Sequence, residues 1–104
     1  MRNIALIKSG DLEPGEVTKV EVDGLPAIAV YNLDGEFFAT DDLCTHGDAS
    51  MAEGFIDDND IVCPFHGGTF DIRTGEANGS PCLHNLKAYR VLVEDGIVMI
   101  RLDE

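Results

Sequence analysis

The chain has 104 residues, 44% of them hydrophobic, and sets 7 Lys plus Arg against 20 Asp plus Glu, a formal net charge of −13. That length suits one domain, residues 1–104, and is too short for two. The charge argues against nucleic acid or an anionic membrane as partner, since both need positive surface, and the longest apolar run, residues 25–31, falls far short of the roughly 20 residues of a membrane span.

The first eight residues are too short for the apolar region of a signal peptide, so a cytoplasmic location is expected. Residues 11–16 have room for one helical turn before Pro14 and Gly15 stop it. Asp23-Gly24 separates residues 16–22 from the apolar run 25–31, which reads as a central strand. Asp34-Gly35 then separates that run from residues 36–40. Residues 43–52 have some helical propensity, but Gly47 interrupts it. Asp95-Gly96 separates residues 86–94 from 97–102, and residues 97–100 also read as a central strand. Asp-Gly between apolar runs is a hairpin signal, because a type I′ turn needs positive φ at both central residues. The runs are rich in Val, Ile, Phe and Tyr, which fit a pleated surface. The expected class is all-β, with short antiparallel strands packed as a small sandwich or barrel.

The chemistry is concentrated in two similar loops, Cys44-Thr45-His46-Gly47 and Cys63-Pro64-Phe65-His66-Gly67. One residue separates Cys44 from His46, sixteen separate His46 from Cys63, and two separate Cys63 from His66. Each loop offers one thiolate and one imidazole to a metal centre. Two Cys and two His suit tetrahedral zinc or an iron–sulfur cluster. Cys-x-His is a poor zinc-loop spacing, since structural zinc loops pair like ligands two to five residues apart. Glycine after each His lets backbone amides approach a bound anion or sulfide.

Cys44-Thr45-His46-Gly47-Asp48-Ala49 and Cys63-Pro64-Phe65-His66-Gly67-Gly68-Thr69-Phe70-Asp71 resemble the two boxes of Rieske [2Fe–2S] proteins, in particular the ferredoxin components of bacterial aromatic-ring-hydroxylating dioxygenases. The resemblance covers nearly the whole chain. It implies three stacked antiparallel β-sheets, with a cluster-binding subdomain at about residues 43–82 inserted in a base domain. It implies one [2Fe–2S] cluster, with Cys44 and Cys63 on one iron and His46 and His66 on the other. The cysteine iron would be buried and the histidine iron near the tip. A third loop, matched by Gly79-Ser80-Pro81, would cover the cluster.

Departures from the respiratory members of that family are informative. Ala49 and Phe65 stand where those proteins carry a disulfide, and Gly68 and Phe70 where they carry a Ser and a Tyr whose hydroxyls bond to the cluster and its sulfur. Fewer hydrogen bonds to sulfur, together with an acidic chain, predict a low potential. Cys82 reads as a small core residue and His84 as a surface residue. Asp48 suits a solvated loop and a tuning or partner-binding role equally. The acidic groups Asp41-Asp42, Asp57-Asp58, Asp60 and Glu94-Asp95 read as solvated turn faces.

The expected function is that of a soluble, monomeric electron carrier, with no substrate chemistry of its own. By resemblance it takes one electron from a flavin-dependent NAD(P)H ferredoxin reductase and passes it to the Rieske centre of a terminal oxygenase. Met51, Phe65 and Pro81 are the candidates for apolar contact with these partners. Two alternatives stand beside this reading: the Rieske-fold small subunit of an assimilatory nitrite reductase, and a zinc-binding structural module.

Overall fold

The computed structural model describes residues 2–44, 49–65, 67–79 and 84–102. Ten strands follow in chain order: β1 (Arg2–Lys8), β2 (Val17–Val20), β3 (Ile28–Leu33), β4 (Glu36–Asp41), β5 (Phe55–Asp57), β6 (Asp60–Val62), β7 (Thr69–Asp71), β8 (Ala77–Gly79), β9 (Ala88–Glu94) and β10 (Ile97–Leu102). Short 3-10 turns occupy Ser9–Asp11 and Met51–Glu53. No helix among the described residues is long and apolar enough to cross a membrane.

The strands form a six-stranded sheet, β1-β10-β9-β4-β3-β2, and a four-stranded sheet, β5-β6-β7-β8, with antiparallel pairing throughout. The two halves of the larger sheet join through the short pairing Ala39↔Tyr89 and Thr40↔Ala88 and the Asp41 N–H, which donates to the Lys87 carbonyl at 2.9 Å. At that seam the sheet curls, so β1-β10-β9 folds over β4-β3-β2. With the smaller sheet this makes the three antiparallel layers that the resemblance implies.

Strand β3 is the middle of the molecule and is buried along its whole length. Its side chains alternate between two cores. Ile28 and Val30 meet Ala39, Val98 and Ile100 inside the curled sheet. Ala29, Tyr31 and Leu33 face the other way, toward Ile61, Phe70, Ile72 and both boxes. Burying each large apolar side chain contributes about 1.5–3 kcal/mol.

Two of the three Asp-Gly signals are two-residue hairpins. Leu33 pairs with Glu36 across Asp34 (φ 52°) and Gly35 (φ 92°), and Glu94 pairs with Ile97 across Asp95 (φ 51°) and Gly96 (φ 77°). The third is not. Val20 pairs with Ile28, so residues 21–27 form a wider loop that contains the Asp23-Gly24 turn. Pro26 explains the difference, because it has no N–H to give the ladder and β3 begins only after it. The expected helical turn at residues 11–16 is instead a β-turn. The Glu16 N–H donates to the Glu13 carbonyl at 3.0 Å around Pro14 and Gly15, the latter at φ 87°.

Candidate metal centre

Both Cys-containing boxes are built the same way. The Cys44 N–H donates to the Ala49 carbonyl at 2.8 Å, and the Cys63 N–H donates to the Gly68 carbonyl at 2.8 Å. Each cysteine thus bonds to the residue five positions on. The first box leaves β4 and returns through a bridge between Leu43 and Ser50. The second connects β6 to β7 and turns at Gly67, whose φ of 73° favours glycine.

These closures bring Cys44 and Cys63 together. Their sulfurs lie 3.4 Å apart, and the residues are 3% and 2% exposed. A disulfide would need about 2.05 Å, so these are two separate sulfurs. Two thiolates on one tetrahedral metal, each bonded at about 2.3 Å, would stand about 3.8 Å apart. The pair therefore fits one shared metal ion with a few tenths of an ångström of adjustment. Ala49, Met51, Ile61, Phe70 and Leu86 belong to the same buried core and keep it dry. This donor set suits the cysteine side of an iron–sulfur cluster.

His46 and His66 lie outside the described residues, as do Asp48, Ser80, Pro81 and Cys82. Among the described residues, no group of three or more Cys, His, Asp or Glu is gathered around one point. His84 is exposed, in keeping with a surface residue.

The readings of Met51 and Asp42 change. Met51, an expected partner contact, is fully buried, because the Met51–Glu53 turn packs it beneath the first box. Leu43, next to Cys44, is 57% exposed, and Phe65, two residues beyond Cys63, is 63% exposed. Asp42 is not a solvated turn residue. It is 4% exposed and its carboxylate accepts the Ala52 N–H at 2.9 Å. The acidic doublet hid it, since nothing in Asp41-Asp42 says which side chain points inward. Asp41 accepts a hydrogen bond from the Tyr89 hydroxyl at 2.5 Å.

Tyr31 shares the core of the two cysteines, and its ionisation is pushed well above the usual tyrosine range. Burial is the main cause, and the nearby Asp42 carboxylate adds a smaller upward push.

Comparison with known proteins places this geometry. The ferredoxin component of the p-cumate 2,3-dioxygenase system of Pseudomonas putida is 43% identical over 98 residues, covering 93% of this chain and 83% of that one. The Sphingomonas yanoikuyae B1 ferredoxin has a TM-score of 0.93 at 46% identity, covering 98% of this chain and 100% of that one. A chain in the complex of reduced oxygenase and oxidized ferredoxin of carbazole 1,9a-dioxygenase has a TM-score of 0.90 at 38% identity, covering 97% of each. A structure named for the small subunit of an NADPH nitrite reductase has a TM-score of 0.82 but is 24% identical, a likeness of fold alone. Residues 2–90 match the Rieske [2Fe-2S] domain, and the chain belongs to that family, which implies one Rieske-type [2Fe–2S] cluster.

Proposed function

We propose that this chain is the ferredoxin of a multicomponent aromatic-ring-hydroxylating dioxygenase system, carrying single electrons from a flavin-dependent NAD(P)H reductase to the terminal oxygenase. The observation that carries the reading is the buried pair of sulfurs, Cys44 and Cys63, 3.4 Å apart in a Rieske domain. Cys44 and Cys63 would hold one iron, and His46 and His66 the other. When bound, the cluster supplies one reversible electron. The chain's own residues ligate, exclude water and present a docking face. Ile61, Phe70 and Leu86 wall the sulfurs off from solvent. Exposed Phe65 and Leu43 flank the two cysteines in sequence and are the candidates for apolar contact with both partners. We assign the chain to the cytoplasm, as a monomer whose cluster-binding subdomain spans about residues 43–82.

The test is purification followed by iron and acid-labile sulfide analysis, reduction, and stopped-flow mixing with a ring-hydroxylating oxygenase. The expected protein is red-brown and binds equal amounts of iron and sulfide. Cys63→Ser should abolish its spectrum and Cys82→Ser should not, and the reduced protein should be oxidised by the oxygenase. A colourless protein with tightly bound zinc would overturn the reading. So would stable co-purification with a haem- and flavin-containing reductase.

A further inference from the structure

We infer that Asp42 is a positioning residue for the cluster: it fixes both ends of the first Cys–His box. The inference rests on the ligation proposed above. The two boxes are not equally supported by the fold. The second is anchored in β6 and β7, inside a four-stranded sheet. Among the described residues, the first is closed by the isolated Leu43–Ser50 bridge and the Cys44 to Ala49 bond. A two-stranded ribbon that short is not stable by itself.

Asp42 supplies what is missing, through three groups. Its N–H donates to the Ala27 carbonyl at 2.9 Å, which ties the box to the stretch leading into β3. Its carbonyl accepts the Met51 N–H at 2.7 Å, and its carboxylate Oδ1 accepts the Ala52 N–H at 2.9 Å. One residue at the start of the box therefore holds the two residues at its end. The second observation concerns Ser50, which precedes the Met51–Glu53 turn and occupies its N-cap position. A serine there ordinarily caps the second or third N–H with its own hydroxyl. Ser50 makes no such bond, and its hydroxyl oxygen is buried without a hydrogen-bond partner. Asp42 caps the turn in its place, from ten residues away. Cys44, Ala49 and Met51 pack in one core, so holding Met51 and Ala52 holds the Cys44 sulfur.

Two variants test this. Asp42→Asn keeps an oxygen for the Ala52 N–H, and Asp42→Ala removes it. Iron and sulfide content and hydrogen–deuterium exchange around Ala52 are measured for each. Asp42→Asn should load iron and protect the Ala52 amide as the parent does. Asp42→Ala should hold less than half the parent's iron, and its Ala52 amide should exchange about tenfold faster. Parent-like iron and exchange in Asp42→Ala would overturn the positioning role. Iron loss in Asp42→Asn would overturn the role of the hydrogen bond, and this holds even if Asp42→Ala fails to accumulate. A parent protein without iron or sulfide would sink the ligation instead, while the exchange comparison, which needs no cluster, would still decide whether Asp42 holds the loop.

Discussion

The Tyr31 hydroxyl lies 2.8 Å from the Thr40 hydroxyl, between β3 and β4, with both side chains fully buried. Thr40 has one proton, and it goes to the Asp41 carbonyl at 2.9 Å. Tyr31 is therefore the donor, and this bond places a polar group in the cysteine core without leaving it unsatisfied.

Tyr31→Phe should cost about 1 kcal/mol, the net value of one such bond. It should also change the alkaline limb of stability. The folded state raises the tyrosine's ionisation above its unfolded value of about 10, burial being the main cause. The folded chain thus retains a proton that the unfolded chain gives up. Stability from this group is full below about pH 10 and falls as pH rises beyond that. Tyr89 behaves the same way, through burial first and then its donation to Asp41. Urea unfolding at about pH 8 and pH 11 should show a smaller alkaline loss in Tyr31→Phe than in the parent. Equal losses in the two proteins would contradict the assignment.

Gly75 ties the β7–β8 turn to the segment that leads into β9. It stands at φ 80°, its N–H donates to the Asp71 carbonyl at 2.7 Å, and its carbonyl accepts the Leu86 N–H at 2.7 Å. A Cβ added here would lie 2.2 Å from the Leu86 carbonyl oxygen, which is backbone and has no rotamer to escape into. Gly75→Ala should cost about 2 kcal/mol or more, from positive-φ strain and that contact. Thermal unfolding should show a loss of about 8 °C or more. Gly10→Ala, which meets nothing within 4 Å, is the control and should stay within about 0.5 kcal/mol of the parent.

The sequence reveals features that depend on neighbours along the chain. Asp34-Gly35 and Asp95-Gly96 make tight hairpins because their geometry is local. The two similar Cys–His–Gly loops are closed by the same bond for a similar reason. Features set by distant neighbours are not legible. Nothing in Tyr89 announces that it pairs with Ala39 and joins two half-sheets. Nothing in Met51 says it will lie inside rather than at the docking face, since one turn with a buried and an exposed side has no period to read. Asp42 looks like Asp41 until the fold brings Ala52 to it.

The midpoint potential should lie in the lower part of the Rieske range, between about −150 and 0 mV. Gly68 and Phe70 bring no hydroxyl to the cluster, and Phe70 is fully buried in the core of Cys63. Phe70→Tyr introduces a hydroxyl that must find an acceptor there or cost about 2 kcal/mol or more. Donation to a cysteine sulfur would raise the potential. Protein-film voltammetry near neutral pH checks both statements. A parent midpoint well above 0 mV would mean that the hydrogen-bond argument is wrong.

The last prediction separates encounter from docking. A net charge of −13 on 104 residues produces a field that extends about 8 Å at physiological salt. The described ion pairs, Lys19–Glu21 at 3.7 Å and Arg73–Glu36 at 3.4 Å, are exposed and neutralise little of it. That field should speed approach to basic surfaces on a reductase and an oxygenase. Close contact is different, because Phe65 at 63% and Leu43 at 57% exposure offer apolar surface beside the two boxes. Raising salt should therefore slow bimolecular electron transfer, and the slowing should appear in association. Phe65→Ala should weaken docking several-fold in a protein that retains its cluster, as loss of an aromatic anchor does, while leaving the slope of log rate against ionic strength close to that of the parent. Neutralising Asp57 and Asp58 together should do the reverse, flattening the slope with a smaller effect at high salt. Stopped-flow reduction and oxidation across a salt series provides both numbers. A parent rate that is independent of salt, or rises steadily with it, would reject steering and leave the acidic surface a matter of solubility. A Phe65→Ala protein that docks like the parent would move the contact face away from the second box.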